Sequence, residues 1–438
     1  MKRVLWVCNI MLPVIGQELG LPYSNREGWL SGIFERAQGR QAASFRLGVC
    51  FPLEREALEG VRGEALGESV KKLKIQGRDC YAFAENLRTP ELYDKRMEGD
   101  FQKIFRDFQP DLLHIFGTEF PHCLGAVKAF GRPEKTLIGI QGLCGRIGEV
   151  YMAGLPKRVQ GQVTLRDFLR RDSIRQQQKK FLIRGEYERL AIKACGNITG
   201  RTRFDREETA KLNPGARYFP MNETMRREFY EGQWRLLGCE EHSIFLGQGD
   251  YPLKGMHFVL KAMSLLGAKY PDMKLYVAGN SVIAHGSLKE RLKLSAYGKY
   301  LLSLIREFGL QDKVIMLGKL NALEMKERFL KASVFLCPSV LENSPNTVGE
   351  AQLLGVPVAA SEAGGIPDMV SHGRDGLLFP AGDERAIARA VEALWDRTRG
   401  EDGLCLAERL SGQARIKAKQ AHDGERNYQR LTEVYGEI

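Results

Sequence analysis

The chain predicts an α/β fold with parallel sheets, divided into two domains, and three observations carry that reading. Short apolar, β-rich runs alternate with longer helical patterns almost throughout. The 438 residues are enough for two or three domains, at roughly 100–200 residues each. A turn-rich break between Asn213 and Gly238, with Asn-Pro-Gly at 213–215, precedes a fresh strand at Ser243. The two halves are then of similar size, and a cleft between domains is a favoured place for ligands.

In the first half the strand-like runs are Val4–Val7, Leu112–Phe116, Thr136–Ile140 and Asn197–Thr199. The first follows Lys2-Arg3 and superficially resembles a signal peptide. Asn9 and Pro13 interrupt its apolar run and no small-x-small cleavage site follows, so a buried strand is the simpler reading. In the second half the runs are Ser243–Leu246, Lys274–Ala278, Val314–Leu317, Val334–Cys337, Val356–Ala360 and Leu377–Phe379. No solenoid-period repeat or low-complexity segment appears.

Composition excludes several classes. With 43% hydrophobic and 27% charged residues the chain is neither disordered nor collagenous. Its nine cysteines show no C-x-x-C or paired spacing, which fits reduced thiols and a cytoplasmic location. No apolar stretch approaches the roughly 18–20 residues that span a bilayer. The net charge of +11 is uneven: residues 157–193 carry eleven bases against four acids, with Leu165, Phe168, Leu169, Phe181 and Leu182 interleaved. This stretch is either a solvated helix face or a patch for anionic lipid headgroups or a pyrophosphate-linked acceptor, peripheral on the inner membrane face. Nucleic acid is disfavoured, since no zinc, helix-turn-helix or RNP-type signature accompanies it.

Val334 to Asp368 is the richest segment chemically. A buried strand, Val334–Cys337, leads into the loop Pro338–Ser344, and a helix follows. Its N-cap is Ser344, with Pro345 at the first helical position, or else Thr347. Gly355 suits the helix end, and Pro357 prevents continuation. A second strand runs into Ala363-Gly364-Gly365 and another helix near Pro367. Two helix starts at one sheet edge are natural phosphate sites, and glycines let the backbone approach a pyrophosphate. Glu342 and Glu350 frame the first loop and suit hydroxyl recognition on a sugar and a ribose. Glu350 also fits a capping box with Thr347, and Glu342 a solvated loop acid.

Glu342-x7-Glu350-Ala351, Gly355-Val356-Pro357-Val358, Gly364-Gly365-Ile366-Pro367-Asp368 and Asp375-Gly376-Leu377-Leu378 together resemble the retaining glycosyltransferases of family four. That family has the GT-B fold, two Rossmann-like domains facing each other across a deep cleft. Gly117-Thr118-Glu119, Gly200-Arg201-Thr202 and Asn222-Glu223 resemble, more loosely, members that build surface polysaccharides. The resemblance implies an acceptor-binding domain over residues 1–220 and a nucleotide-sugar-binding domain over 240–420. It implies too that a last helix, about 424–438, with Tyr428, Leu431, Val434 and Tyr435 as its apolar face, crosses back onto the first domain.

By position, the resemblance implies that Glu350 accepts the ribose hydroxyls and Glu342 a hydroxyl of the donor sugar. Ser344, Pro345, Asn346 and Thr347 lie near the sugar and diphosphate, with Gly364 and Gly365. Lys254, in Leu253-Lys254-Gly255, stands against the diphosphate, where a cation stabilises the departing charge. The family's arginine about five residues earlier is missing, and Arg201 is the candidate to replace it. A histidine of the family is replaced by Gln141, with His122 as a nearby candidate to compensate or a structural residue. In the first loop one glycine, Gly28, remains of two.

The chain has no D-x-D, no H-E-x-x-H and no Cys/His zinc spacing. The expectation is metal-independent, cofactor-free transfer of a sugar from a UDP- or GDP-linked donor to a glycan or polyprenyl-diphosphate-linked acceptor, with retention. In the family's front-face route the leaving diphosphate accepts the acceptor's proton. A nucleotide-sugar-binding protein without turnover is the first alternative. A dinucleotide-dependent oxidoreductase is the second, but Gly247-Gln248-Gly249 lacks the third glycine of a dinucleotide loop.

Overall fold

The computed structural model describes residues 1–22, 28–38 and 45–438. The chain divides into two compact units: residues 1–148, 180–224 and 422–438 form unit 1, and residues 149–179 with 225–421 form unit 2. The passage between them at Thr224 and Met225 falls inside the turn-rich break.

Among the described residues, unit 1 carries a nine-stranded sheet. Its strands are β1 (Lys2–Cys8), β2 (Phe45–Leu53), β3 (Glu64–Gly67), β4 (Val70–Ile75), β5 (Arg78–Ala84), β6 (Leu112–Phe116), β7 (Thr136–Gly139), β8 (Asn197–Gly200) and β9 (Arg217–Pro220). The spatial order is β3-β4-β5-β2-β1-β6-β7-β8-β9, parallel from β5 to β9 and antiparallel only at the β3-β4-β5 edge. Five of these strands, β2 to β5 and β9, do not stand out in the sequence. β2 holds Gly48 and Pro52, and a Cβ at 48 would come within 2.7 Å of the Phe108 ring, so close packing explains that break in the apolar pattern. β4 reads Val-Lys-Lys-Leu-Lys-Ile, with its lysines at or near the surface.

The helix Gly424–Glu437 packs on the same unit, burying Tyr428, Leu431, Val434 and Tyr435 in one core with Val4, Trp6 and Leu47. Tyr435 fastens it. The Trp6 indole N–H donates to the Tyr435 hydroxyl at 2.7 Å, which lies 2.6 Å from His114 Nδ1.

Unit 2 has six strands among the described residues: β10 (Glu240–Leu246), β11 (Lys274–Ala278), β12 (Val314–Gly318), β13 (Ala332–Cys337), β14 (Val358–Ser361) and β15 (Leu377–Phe379). Their order is β12-β11-β10-β13-β14-β15 and every pairing is parallel. Helices such as Met256–Leu266 and Glu384–Trp395 bury their apolar sides on it. β13 and β14 end level, Cys337 opposite Ala360, so the loops that follow leave from one edge.

Residues 149–179, expected within a first domain spanning 1–220, instead group with unit 2. The Asp167 carboxylate accepts the Ala296 N–H at 2.9 Å. Gly154, at φ +72°, lies so close to the Phe258 ring that a Cβ would overlap it at 2.1 Å. Such long-range tethers leave no sequence periodicity behind. Among the described residues no helix is long and apolar enough to cross a membrane.

Candidate active site

Three strand–loop junctions meet at the carboxyl edge of the unit 2 sheet, where ligands of open parallel sheets bind. After β10 the chain makes a short 3-10 turn, Pro252–Lys254, before the helix Met256–Leu266. Gly255 ends that turn at φ +72°, and a Cβ there would overlap the Pro338 carbonyl oxygen at 2.2 Å. The Val340 N–H donates to the Leu253 carbonyl at 2.8 Å, joining this turn to the loop after β13.

This junction brings Lys254 and Glu342 together, their charged atoms 2.5 Å apart. The Ser339 hydroxyl donates to the same carboxylate oxygen at 2.7 Å. The ammonium also stands 5.7 Å from the centre of the Tyr251 ring. Burial alone would lower the pKa of Lys254, but the Glu342 charge and the Tyr251 hydroxyl outweigh it and hold it raised, so the lysine is a fixed cation. Glu342 is therefore a partnered group and no solvated loop acid.

The Gly364-Gly365 turn closes over the same loop. Gly364 sits at φ +56°, where a Cβ would come within 2.1 Å of the Glu342 carbonyl oxygen. The Gly365 N–H donates to that oxygen at 2.9 Å. The first role of the pair in this structure is thus to fix the backbone that presents Glu342.

The helix after β13 runs Asn346–Leu354 with Pro345 at the N-cap and no side-chain cap. This corrects the expected caps at Ser344 or Thr347 and removes the capping-box explanation of Glu350. The Ser344 hydroxyl is buried without a hydrogen-bond partner among the described residues. Thr347 lies against Gly247, where a Cβ would stand 3.1 Å from its methyl. Glu350 is 3% exposed and bonds Arg226, whose Nε and Nη2 lie 2.9 and 2.7 Å from one carboxylate oxygen. Burial raises the Glu350 pKa and Arg226 opposes that rise. Arg226 stands 124 residues away in sequence, and no signal there identifies it.

A cavity of about 600 Å³ opens beside this junction within unit 2. Residues of the 149–179 segment, including Tyr151, Arg166 and Asp172, line it with Asp250, Tyr251 and Asn280. The Asp250 carboxylate accepts from Gln248 at 2.8 Å and from Asn280 at 2.9 Å, ordering the loops after β10 and β11.

The remaining sequence candidates lie in unit 1. Gln141 and Arg201 converge on Glu223: the amide donates at 2.9 Å and the guanidinium lies 2.5 Å from the other oxygen. Burial lifts the Glu223 pKa to about 7 against the pull of Arg201 and Gln141. Arg201 is 8% exposed at its side chain, so its charge already serves this carboxylate. His122 is fully buried, its Nδ1 2.7 Å from Glu85, and is a structural residue. Gly28 opens the helix Gly28–Gln38, and the preceding Glu27 lies outside the described residues. At the carboxyl ends of β1 and β6, the Asn9 amide donates to Glu119 at 2.8 Å, a pair the sequence did not single out.

The class these features define is an open parallel α/β unit with a lysine–glutamate pair at the carboxyl edge of its sheet. Residues 240–397 match the family model of glycosyl transferases group 1. It is 33% identical over 173 residues to a D-inositol 3-phosphate glycosyltransferase of Arthrobacter sp. (strain FB24), covering 39% of this chain and 38% of that protein. Against the amylovoran biosynthesis glycosyltransferase AmsK of Erwinia amylovora it is 32% identical over 114 residues, 25% of this chain and 26% of the relative. The chain thus spans less than half the length of these curated relatives. Over its full length the fold resembles that of Anabaena Alr3699/HepE, solved with UDP and glucose (TM-score 0.65, 14% identity, 100% of both chains). It likewise resembles sucrose-phosphate synthase of Thermosynechococcus elongatus (TM-score 0.64, 14% identity, 100% of this chain and 99% of that one). The fold is that of the GT-B glycosyltransferases.

Proposed function

We propose that the protein transfers a sugar, with retention and without a metal, from a UDP- or GDP-linked donor to a glycan or polyprenyl-diphosphate-linked acceptor in surface polysaccharide synthesis. The observation that carries this reading is the Lys254–Glu342 pair, held by Gly255 and Gly364 at the edge of a group 1 glycosyltransferase domain. When the donor enters, its diphosphate takes over Lys254, and the released Glu342 carboxylate accepts a hydroxyl of the sugar. The bond from the anomeric carbon to the diphosphate oxygen breaks while the acceptor oxygen bonds that carbon from the same face. The acceptor's proton passes to the departing diphosphate, so no dedicated base is needed. Lys254 and the helix start at Asn346 stabilise the charge that develops on the leaving group. Glu350, steadied by Arg226, holds the ribose hydroxyls. An anionic lipid surface, met through the basic stretch 157–193, is a partner in this scheme.

The test is nucleoside diphosphate release from a panel of UDP- and GDP-sugars, with and without acceptor. Wild type should cleave at least one donor, and Lys254→Ala should lower kcat/KM for it by about 100–1,000-fold, as loss of one charge-stabilising group does. Tight donor binding without turnover, or unchanged cleavage by Lys254→Ala, overturns the proposal.

A further inference from the structure

We propose that the short helix Leu165–Arg170 is the point at which this protein meets an anionic phospholipid bilayer, with Val163, Leu165, Phe168 and Leu169 entering the headgroup region. The contact rests on the lipid-surface partner proposed above and names the residues that make it. Those four side chains are 56, 55, 72 and 70% exposed and fall within seven residues. Single exposed leucines are ordinary, but a cluster of this kind held in place marks a binding surface.

The helix is held in place from beneath. Thr164 and Asp167 form a reciprocal capping box, and Asp167 also accepts the Ala296 N–H at 2.9 Å. Arg166 lies 3.0 Å from Asp167 and 2.9 Å from Asp172. Arg171 ends the helix at φ +50°, a left-handed conformation unusual for a residue with a side chain. The Asp167–Ala296 bond ties the helix to the rest of unit 2, the other polar contacts are local, and the apolar side chains are left exposed.

Charge selects the occupant. Residues 149–179 hold seven bases against three acids. Arg166 spends its charge on Asp167 and Asp172, whereas Arg170 and Arg171 are exposed and have no ion pair among the described residues. The bases beyond this segment are partly occupied: Lys180 pairs with Glu91, and Arg184 donates to the Glu119 carbonyl. The lipid contact thus narrows from the whole basic stretch to its first part. A six-residue helix is too small for a stable protein interface, which needs roughly 800 Å² from each partner. A bilayer needs only a few buried apolar side chains and adjacent cations. Arg166, Asp167 and the exposed Arg170 of the same helix line the cavity of unit 2. Docking there sets that cavity at headgroup level, where the polar end of a lipid-linked acceptor is found.

Co-sedimentation with vesicles of phosphatidylcholine, alone or with roughly one-third phosphatidylglycerol, tests the contact. Wild type should bind the anionic vesicles and not the neutral ones. The double variant Phe168→Ser, Leu169→Ser should lose at least tenfold in partition while its melting temperature and donor cleavage in solution stay unchanged. Arg170→Glu with Arg171→Glu should lose the preference for phosphatidylglycerol. Failure of wild type to bind, or equal binding by the serine variant, overturns the contact. So does a wild-type dimer, seen by light scattering, that the serine variant abolishes without any vesicle binding. Vesicle binding by a protein that cleaves no donor would instead overturn the proposed function and leave the contact standing.

Discussion

Glu350 is held by a single arginine, and that pairing makes its two roles separable. Removing Arg226 leaves a buried carboxylate without compensation, which costs about 3–5 kcal/mol. Arg226→Ala should therefore shift the denaturant midpoint strongly. Glu350→Gln keeps the shape and an oxygen that can still accept from the 16%-exposed Arg226, so it should lose less stability than Arg226→Ala yet bind the donor at least tenfold more weakly by calorimetry. Wild-type donor affinity in Glu350→Gln would remove Glu350 from the ribose. At this scale the sequence was informative where spacing is local. Glu342, Glu350 and the Gly364-Gly365 turn lie within 24 residues and were legible together. Lys254 was legible as a candidate too, but its pairing with Glu342 was not, and neither was Arg226, because these contacts join residues 88 and 124 positions apart.

Among the elements, the helix Gly424–Glu437 depends on one hydroxyl. The Tyr435 hydroxyl oxygen accepts the Trp6 N–H and lies within hydrogen-bond distance of His114 Nδ1. Burial lowers the His114 pKa to about 3, consistent with a neutral ring. Tyr435→Phe leaves the Trp6 indole and the imidazole nitrogen without this partner, at roughly 1–3 kcal/mol for each unsatisfied buried group. Thermal denaturation should show a loss of about that size, and an unchanged melting temperature would show that the helix is held by apolar packing alone. The amphipathic pattern of this helix was readable, since Tyr428, Leu431, Val434 and Tyr435 recur at helical spacing. Strands β2 and β4 were not, because a glycine and a proline in the first and surface lysines in the second interrupt the apolar pattern on which such readings rest.

Among the described residues, three buried histidines and two buried carboxyls with large shifts act on the response to pH at the scale of the whole molecule. His114, His257 and His422 are kept neutral chiefly by burial, with pKa values lowered to about 3, about 3 and about 4. Unfolded histidines titrate near 6.5, so the stability these three confer is lost as pH falls below that value. Glu188 and Glu223 act oppositely. Burial raises both to about 7 from 4.5, so the folded protein keeps two protons that the unfolded chain releases. Their stabilisation is full below about 4.5 and fades as pH rises to about 7. The two trends offset each other near neutrality, and the histidine loss prevails below about pH 5. Calorimetry should find a nearly level melting temperature from about pH 7 to 6 and a steep decline below about 5. The double variant Glu188→Gln, Glu223→Gln should begin its decline near pH 6, and an onset unmoved from wild type would remove these carboxyls from the balance.

The return of residues 422–438 to unit 1 orders the events of synthesis. A nascent chain on the ribosome has the whole of unit 2 translated before the tyrosine that bridges Trp6 and His114 exists. Until that helix emerges, the core around Val4, Trp6 and Leu47 lacks Tyr428, Leu431, Val434 and Tyr435 and is covered only in part, by residues such as Ile15 and Leu30. Strand β1, made before any of unit 2, thus waits for this part of its cover until the helix Gly424–Glu437 follows.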